Sequence, residues 1–478
     1  MDRLQSNQLK YKRSNIMNRS NFKNDLYVVG LFLITVLLLS GNLFVLTARA
    51  AGPDDEISIF IAGDAIFNRP WSGFAEPEFL GLIDLIRSAD VAVCNLETLI
   101  HTYQGFPQIE SGGTFMASEP IIAEELAWAG FDMMGVANNH TFNYGSLGVL
   151  ETIEFVEAAG MKIAGGGDLQ RARRPVYHYG ENGTVALISA TSSFADFQKA
   201  SNSRPDLHGR AGCNPLTVTT ETVNTLTRET AQKLLEIAQR ENIPQVSLRD
   251  DSFTFLGQRY QIGEENSSVR TTTVNPSDLN AILQAVRRAE QVAAITVFAM
   301  HAHSQGDWLA DFAHQAIDAG VDVFLVSGPH YLKGIEIYQG KPIFYSLGNF
   351  AFQSETVTKL PAEYVEARGY DHTTTAEEFQ RATRDNWNRN RVNWEGLVAT
   401  IRFKESRVDS LRLIPTNLGV GPPGTEGVQL PFGVRGRPVL ADKTLGKYLI
   451  DKVTEQSQPY GTPIEYSVEE NIGVISIR

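Results

Sequence analysis

Five short apolar segments of this chain each end close to a polar residue that can bind a metal ion. Their length and composition predict buried strands. Helical patterns separate them, and strands that alternate with helices predict an α/β fold in layers. Because such folds bind ligands beyond the carboxyl ends of their strands, these polar residues are expected to meet at one rim. The segments lie at residues 57–62, 91–94, 133–137, 294–300 and 321–326, and the polar residues are Asp64, Glu97, Asn139, His301 and His330.

The alternating pattern extends over residues 57–416, which we interpret as one domain with two insertions. The first insertion lies near 202–275, where the sequence becomes Thr-rich with short helical and alternating pieces. The second lies near 354–395 and is polar, helical and rich in Glu, Arg and Asn. Residues 417–478 begin with a Pro- and Gly-rich stretch, and we interpret them as a C-terminal extension. Helices are predicted at 79–88, 120–129, 148–159, 276–289 and 308–319.

The first 50 residues have the pattern of a targeting segment. Residues 1–26 are basic, and residues 27–50 contain an apolar stretch of about 20 residues, the length that one bilayer crossing requires. The basic flank predicts a cytoplasmic N-terminus and export of the rest of the chain. Because Ala48-Arg49-Ala50 matches an A-x-A cleavage pattern, residues 27–50 are either a transmembrane anchor or a signal peptide. Both alternatives predict an extracytoplasmic protein, either membrane-anchored or secreted.

The chain is acidic, with 42 Lys and Arg against 55 Asp and Glu and a formal net charge of −13. This balance argues against nucleic acid as a partner. An acidic enzyme that acts on a polyanion needs a metal ion or a local basic patch. Arg171, Arg173 and Arg174 form one basic cluster, which can equally be a solvated surface turn. The two cysteines, Cys94 and Cys213, exclude a disulfide framework.

The residue types at the five segment ends favour a divalent metal. Carboxylates, an amide oxygen and imidazoles form a ligand set suited to one or two ions of Mn, Fe or Zn, and Glu97 is a candidate to bridge two of them. His303 shares a face with His301 in an extended segment, and Asn138 precedes Asn139, so His303 and Asn138 are further candidates. Each residue alone has a structural alternative: a helix cap for the Asp, a turn for the Asn pair and a hydrated edge for the histidines.

Six blocks of the sequence occur in an order that resembles a known family. They are Gly63-Asp64, Asn95-Leu96-Glu97, Ala137-Asn138-Asn139-His140, His301, Ser327-Gly328-Pro329-His330 and Tyr345-Ser346-Leu347-Gly348-Asn349-Phe350. The family is CapA, the poly-γ-glutamate capsule synthesis proteins, which is similar to the calcineurin-like metallophosphatases. The resemblance covers residues 57–414. It implies a four-layer αββα sandwich of the metallo-dependent phosphatase type, in which helices flank two mixed sheets and the metal lies at the strand ends.

The resemblance also implies a role for each candidate residue. His140 is the catalytic residue that protonates the leaving group, and Glu97 bridges the ions. Two imidazoles of the metallophosphatases have no counterpart here, because Ile66 stands in place of one and the last block reads Ser-Gly-Pro-His. His303 is a candidate for one of these missing ligands. The implied metal ligands are Asp64, Glu97, Asn139, His301 and His330.

The expected function is that of an exported metal-dependent hydrolase in the synthesis, export or trimming of poly-γ-glutamate or a similar cell-surface polymer. Its expected partners are that polymer, the membrane and subunits of a polymer synthase. One alternative is a metallophosphoesterase that acts on an extracytoplasmic phosphoester. Another is a non-catalytic, membrane-tethered accessory subunit of the synthase. The sequence contains no G-x-S-x-G elbow and no H-E-x-x-H helix, which disfavours serine hydrolases and zincins.

Overall fold

The structure is a computed structural model, and it describes residues 56–384 and 389–477. The predicted targeting segments at 1–26 and 27–50 lie outside the described residues. Within the described ranges, no helix combines the length and the apolar character that a membrane crossing requires. The described residues form a mixed α/β fold with several sheets, as the alternating pattern predicts.

Most of the 25 strands in the described residues belong to two large sheets. In chain order the strands are β1 Glu56–Ile66, β2 Val91–Leu96, β3 Leu99–Ile100, β4 Ala117–Ser118, β5 Met133–Gly135, β6 Lys162–Ala164, β7 Gly166–Gly167, β8 Val176–Gly180, β9 Gly183–Thr191, β10 Gly212–Cys213, β11 Val218–Thr227, β12 Ser247–Leu248, β13 Ser252–Phe255, β14 Gln258–Gly263, β15 Ser267–Val274, β16 Ile295–His301, β17 Val323–Ser327, β18 Ile335–Tyr338, β19 Lys341–Phe344, β20 Asn349–Phe352, β21 Glu395–Lys404, β22 Arg407–Asn417, β23 Val439–Leu440, β24 Glu465–Ser467 and β25 Ile472–Ile475.

Several helices begin at residues that are typical of helix N-termini. Their ends show familiar local signals: Pro77 begins the first helix, where its missing N–H is not needed. Asn275 caps the sixth by accepting hydrogen bonds from two backbone N–H groups. The α-helices of the described residues are α1 Pro77–Ser88, α2 Ile121–Ala129, α3 Gly145–Ala158, α4 Leu169–Ala172, α5 Arg228–Arg240, α6 Pro276–Glu290, α7 Asp307–Asp318, α8 Ala362–Glu366, α9 Ala376–Thr383 and α10 Lys443–Ser457.

The larger sheet has ten strands in the order β24-β25-β22-β21-β1-β2-β5-β6, and β20 and β23 pair with β1 and β22. Strands β1, β2, β5 and β6 run parallel, so their carboxyl ends share one edge. The second sheet has the order β18-β19-β17-β16-β9-β8, and its strands β9, β16, β17 and β19 are also parallel. Each sheet therefore has one edge at which several strands end together.

The side chains of β1 alternate between two hydrophobic cores, as the period of two in a strand requires. Ile59 and Ile61 lie in the core between the sheets, which also contains Leu187 of the second sheet. Phe60 faces away from that core, into a cluster with residues of α1, α2 and α3. The second sheet is covered likewise, because Phe298 packs in a cluster with residues of α6 and α7. Helices thus cover the outer faces of two sheets that share a core.

The segments interpreted as insertions contain elements of their own. The first, near 202–275, includes a five-stranded sheet of order β12-β13-β14-β11-β15, together with α5. The second, near 354–395, contains α8 and α9.

Residues 417–477, which follow the predicted domain, contribute to the main fold. Strands β23, β24 and β25 extend the ten-stranded sheet. Helix α10 buries Leu445, Leu449 and Val453 in the core between the sheets. The spacing of these residues places them on one face of the helix, and that face packs onto the sheet. The described part of the expected C-terminal extension is therefore integral to the domain core.

Candidate metal centre

The candidate ligands lie where the parallel strands of both sheets end. Asp64 lies near the end of β1, and Glu97 directly follows β2 in the same sheet. His301 ends β16 of the second sheet, and His330 lies in the loop after β17. Since the two sheets pack face to face, residues from both reach one place. The site therefore combines residues from the strand ends of two sheets. The apolar pattern alone predicts that these residues meet at the edge of one sheet.

Glu97 belongs to two groups of side chains that can hold a metal ion. One group is Asp64, Glu97 and His301, and the other is Glu97, His303 and His330, with the ligand atoms of each group within 4.8 Å of one another. Glu97 Oε1 lies 3.5 Å from His330 Nε2 and 3.9 Å from His301 Nε2. Glu97 is thus shared by both groups, and its role as a bridging ligand stays a prediction.

The carboxylate of Glu97 is fully buried, and among the described residues neither of its oxygens has a hydrogen-bond partner. Burial, followed by the nearby charge of Asp64, raises the pKa of Glu97 well above its ordinary value. An unpaired buried carboxylate is strongly unfavourable unless a cation or donors accompany it. A divalent cation would satisfy both oxygens, so the residues fit such an ion. Their oxygen and nitrogen donors are of the kind that bind Mn, Fe or Zn.

Asp64 is held by two hydrogen bonds from different sheets. Asn95 Nδ2 donates to Oδ1 at 2.8 Å, and the backbone N–H of Gly328 donates to Oδ2 at 2.9 Å. The preceding residue, Gly63, has to be glycine, because a Cβ there would lie 2.1 Å from the carbonyl oxygen of Gly348. These contacts fix the orientation of the Asp64 carboxylate.

His330 is oriented by a residue for which the sequence predicts no role. Asn349 Nδ2 donates to the carbonyl of Asn393 at 2.9 Å, which identifies Oδ1 as the acceptor facing His330. His330 Nδ1 lies 2.9 Å from that oxygen and therefore carries the proton. The hydrogen bond at Nδ1 turns Nε2 toward Glu97, which is the ring orientation that a metal ligand needs. The backbone of His330 is in the left-handed region, with φ of 62°.

His301 and His303 approach each other closely, with 3.3 Å between their Nε2 atoms. His301 Nδ1 lies 2.9 Å from Ser327 Oγ, which orients the ring. Burial and the neighbouring imidazoles lower the pKa of His301 well below its ordinary value and that of His303 to about 4. Both rings are therefore neutral near pH 7, as metal ligands must be. His303, a further candidate in the sequence, takes a position in the second group.

The two asparagines of the Asn-Asn-His block differ in their contacts. Asn138 is a positioning residue, because its Nδ2 donates to the Leu96 carbonyl at 2.8 Å and its Oδ1 accepts from the backbone N–H of His140 at 3.0 Å. Asn139 Nδ2 donates to the carbonyl of Gly112 at 3.1 Å. Its Oδ1 is buried without a partner among the described residues, as expected of a ligand oxygen. The assignment of Asn139 as a ligand stays a prediction.

His140 presents an unprotonated nitrogen to the site. Its Nδ1 lies 2.8 Å from Asn143 Oδ1, an oxygen that also accepts from the backbone N–H of Met116, so Nδ1 is the donor. Its Nε2 lies 3.9 Å from Glu97 Oε1. Burial lowers the pKa of His140 to about 3, so the ring is neutral near pH 7. The expected proton donor to the leaving group therefore has to accept a proton first.

Two pockets open onto the centre, and both are lined by Gly112, Asn139 and His303. One, of about 570 Å³, also touches residues of the first insertion, including Arg270. The other, of about 470 Å³, is walled by residues of the second insertion, including Arg384. Both pockets therefore adjoin the candidate ligands through these shared residues.

Comparison with known proteins places the chain in a family. The family described as bacterial capsule synthesis protein PGA_cap matches residues 58–354. The uncharacterized protein y4sH of Sinorhizobium fredii is 32% identical over 454 residues, which cover 88% of this chain and 94% of that protein. The PGA biosynthesis protein CapA of Bacillus subtilis is 22% identical over 311 residues, covering 63% of this chain and 64% of that protein.

A crystal structure described as a novel phosphatase, from Mycoplasma pneumoniae, aligns with a TM-score of 0.37 and 9% identity, covering 76% of this chain and 94% of that one. The family match includes the blocks that contain Asp64, Glu97, His301 and His330. It confirms the predicted resemblance to the CapA proteins. The chain belongs to the bacterial capsule synthesis protein family PGA_cap.

Proposed function

We propose that this protein is an extracytoplasmic metal-dependent hydrolase that acts on a cell-surface polymer such as poly-γ-glutamate. Its family connects the chain with capsule biosynthesis. The observation that most supports a metal-dependent enzyme is Glu97, a buried carboxylate shared by two groups of potential ligands and without hydrogen-bond partners among the described residues. We further propose that the sheets and helices form the four-layer sandwich of the metallo-dependent phosphatases.

In this proposal Asp64, Glu97, Asn139, His301 and His330 hold one or two ions, and His303 adds a ligand to the second. When bound, a divalent cation supplies Lewis-acid polarisation of the bond under attack and stabilises developing negative charge. Asn349 and Ser327 keep the imidazoles in the orientation that ligation requires.

His140 transfers the proton in this proposal. Its Nδ1–H is held by Asn143, so only Nε2 can exchange a proton with substrate or water. Since the ring is neutral near pH 7, Nε2 first accepts a proton from the attacking water and then returns it to the leaving group. Positioned proton transfer of this kind contributes about 10²–10⁴ in rate.

The two pockets support a polymer as the substrate. A small phosphoester needs one pocket, whereas two pockets of about 570 and 470 Å³ adjoin the candidate ligands and share His303 and Asn139 as lining residues. A chain that crosses the centre would place the bond to be cleaved beside His140. The alternative of an extracytoplasmic phosphoesterase uses the same ligands. The targeting pattern of residues 1–50 supports an extracytoplasmic location, with the protein anchored or secreted.

The alternative of a non-catalytic subunit of a polymer synthase is supported by the two imidazoles that this chain lacks, one at Ile66 and one in the Ser-Gly-Pro-His block. Ile66 lines the pocket of about 470 Å³. The position of His303 argues against this alternative. Its imidazole belongs to the group with Glu97 and His330, and it can replace the one that the Ser-Gly-Pro-His block lacks.

Metal analysis and two parallel assays test the proposal. The full-length protein, purified without added chelator, is analysed for Mn, Fe and Zn, and then incubated with a γ-linked glutamate oligomer and with bis(p-nitrophenyl) phosphate. We expect stoichiometric metal and release of glutamyl amine from the oligomer, both lost in Glu97→Gln. The control is Glu78→Gln, an exposed position on α1, which keeps both. Turnover of the phosphodiester alone would select the phosphoesterase, and absence of metal would refute the enzyme.

A further inference from the structure

Arg384 is a half-buried cation beside the candidate metal centre, and its hydrogen-bond acceptors are uncharged. Its Nε donates to Gln380 Oε1 at 3.1 Å, and its Nη2 donates to the hydroxyl of Thr114. In the described part of the chain it forms no ion pair with a carboxylate. Glu355, an acidic residue close enough to influence it, is already held by Arg435 through two bonds of 2.6 Å.

The pocket next to Arg384 has the composition of an anion site. Arg384 and Arg368 both line it, together with the hydroxyl groups of Thr114, Ser354 and Tyr364. Among the described residues that line it, none is acidic. The same pocket contains His140 and His330 of the metal centre, so a group bound there lies next to the reacting bond.

Arg368 is exposed at this pocket and is positioned by Tyr364. Its guanidinium lies 3.8 Å from the centre of the Tyr364 ring, and its Nη1 donates to the Tyr364 carbonyl at 3.0 Å. The two arginines therefore present two positive charges from the second insertion. In contrast, the basic cluster singled out in the sequence is largely neutralised, since Arg171 pairs with Glu157 and Arg173 with Asp278.

We propose that the pocket between Arg384 and His140 binds an anionic group of the substrate, a carboxylate or a phosphate, next to the bond that is cleaved. The physical reason is the unfavourable burial of a cation that forms no ion pair among the described residues, which an anionic ligand offsets. A guanidinium binds either group through two parallel N–H donors. This inference rests on the proposed hydrolase, because it assigns the pocket to the substrate of that centre. It makes Arg384 a specificity-determining residue.

Binding measurements on the full-length chain test the inference. A γ-linked glutamate trimer and inorganic phosphate are titrated in separate experiments into the protein, both as purified and after dialysis against a chelator. We expect Arg384→Gln to weaken binding by about 10- to 100-fold, the usual effect of losing hydrogen bonds to a charged group. The matched control is Arg381→Gln on α9, the helix that ends directly before Arg384; the Arg381 guanidinium pairs with Glu377 outside this pocket. We expect it to bind as the wild type does.

Arg368→Gln is a second variant, because Arg368 is exposed and its replacement leaves the contacts of Arg384 unchanged. We expect it to weaken binding about threefold, as partial loss of one exposed charge does. Binding of the trimer alone identifies a carboxylate site, and binding of phosphate alone a phosphate site. No binding of either probe, or equal affinity of the folded Arg384→Gln variant and the wild type, would overturn the inference. Metal content, measured on the same samples as purified, reports on the hydrolase separately.

Discussion

Replacing Glu97 by Gln separates a metal centre from an ordinary cluster of buried polar residues. The substitution preserves the size of the side chain and replaces an ionisable group beside Asp64 by an amide that cannot ionise. Without metal, the wild-type carboxylate has two buried oxygens that lack hydrogen-bond partners among the described residues. Leaving a buried polar group unpaired costs about 1–3 kcal/mol. Because the amide is neutral and can donate to the imidazoles, we expect the metal-free variant to be more stable by about that amount.

This difference is small but measurable as a shift in melting temperature. An unfolding entropy of about 2.1 cal/mol/K per residue amounts to about 0.9 kcal/mol/K for roughly 420 folded residues. A gain of about 1–3 kcal/mol then raises the melting temperature of the metal-free variant by about 1–3 °C. For the wild type, an ion at 100 times its Kd adds about 2.7 kcal/mol per site, or about 3 °C. Since Glu97 belongs to both groups of ligands, the variant should lose most of this gain.

The assay is thermal unfolding of both proteins in chelator and in excess Mn²⁺. We expect the order of stability to invert, with the variant above the wild type in chelator and below it with metal. Glu125→Gln is a matched control, because Glu125 is also buried but accepts hydrogen bonds from the Trp71 and Ser72 backbones and the Ser72 hydroxyl. That control should be destabilised under both conditions. A Glu97→Gln variant that is less stable in chelator, or that responds to Mn²⁺ as the wild type does, would refute the reasoning.

Two further predictions concern histidines inside and outside the centre. His140→Ala should lower turnover of whichever substrate the parallel assays identify by about 10²–10⁴, with metal content unchanged and the protein still folded, although the loss of a buried side chain lowers its melting temperature. Exposed His208→Ala should retain full activity, and equal activity of the two variants would remove His140 from the mechanism. Burial lowers the pKa of His101 to about 4, below the value of about 6.5 in the unfolded chain. The unfolded state therefore binds more protons, and the wild type should lose about 1–2 kcal/mol as the pH falls from 7.5 to about 5. Urea unfolding at both pH values should show this loss reduced in His101→Gln, and an identical loss in both proteins would contradict the assignment.

The strands that position the site could be predicted closely from the sequence, and their ends less closely. The apolar runs at 57–62 and 91–94 lie inside β1 and β2, but β1 continues to Ile66. The continuation is stabilised by β20, which pairs with β1 from Asp64 onward. A local pattern cannot reveal a partner strand almost 300 residues away.

The assembly of the site was the harder part to predict. Apolar runs identify strands but not the sheet to which each belongs, so the residue pattern predicts one rim where the structure has two sheet edges. The residues that orient the ligands were missed for a related reason. Asn349 and Asn143 are single polar residues without periodic neighbours, and only their contacts with His330 and His140 show what they do. The sequence signal that existed for Asn349 was its place in the Ser-Leu-Gly-Asn-Phe block.

An acidic chain can bind the proposed anionic substrate, because distant charges are screened by salt whereas positive charges next to the bound group are not. At physiological ionic strength, charges separated by more than about 8 Å are largely screened, so the net charge of −13 contributes little to what a bound group experiences. A half-buried guanidinium such as Arg384 is screened much less. In the proposed function, Arg384 and an ion at Glu97 would supply two local positive charges that can hold an anionic polymer on an acidic protein. The second insertion provides Arg384 and the strand ends provide Glu97, so the proposed substrate-binding group and the proposed metal ligands lie on different parts of the fold, and each can be tested by its own substitution.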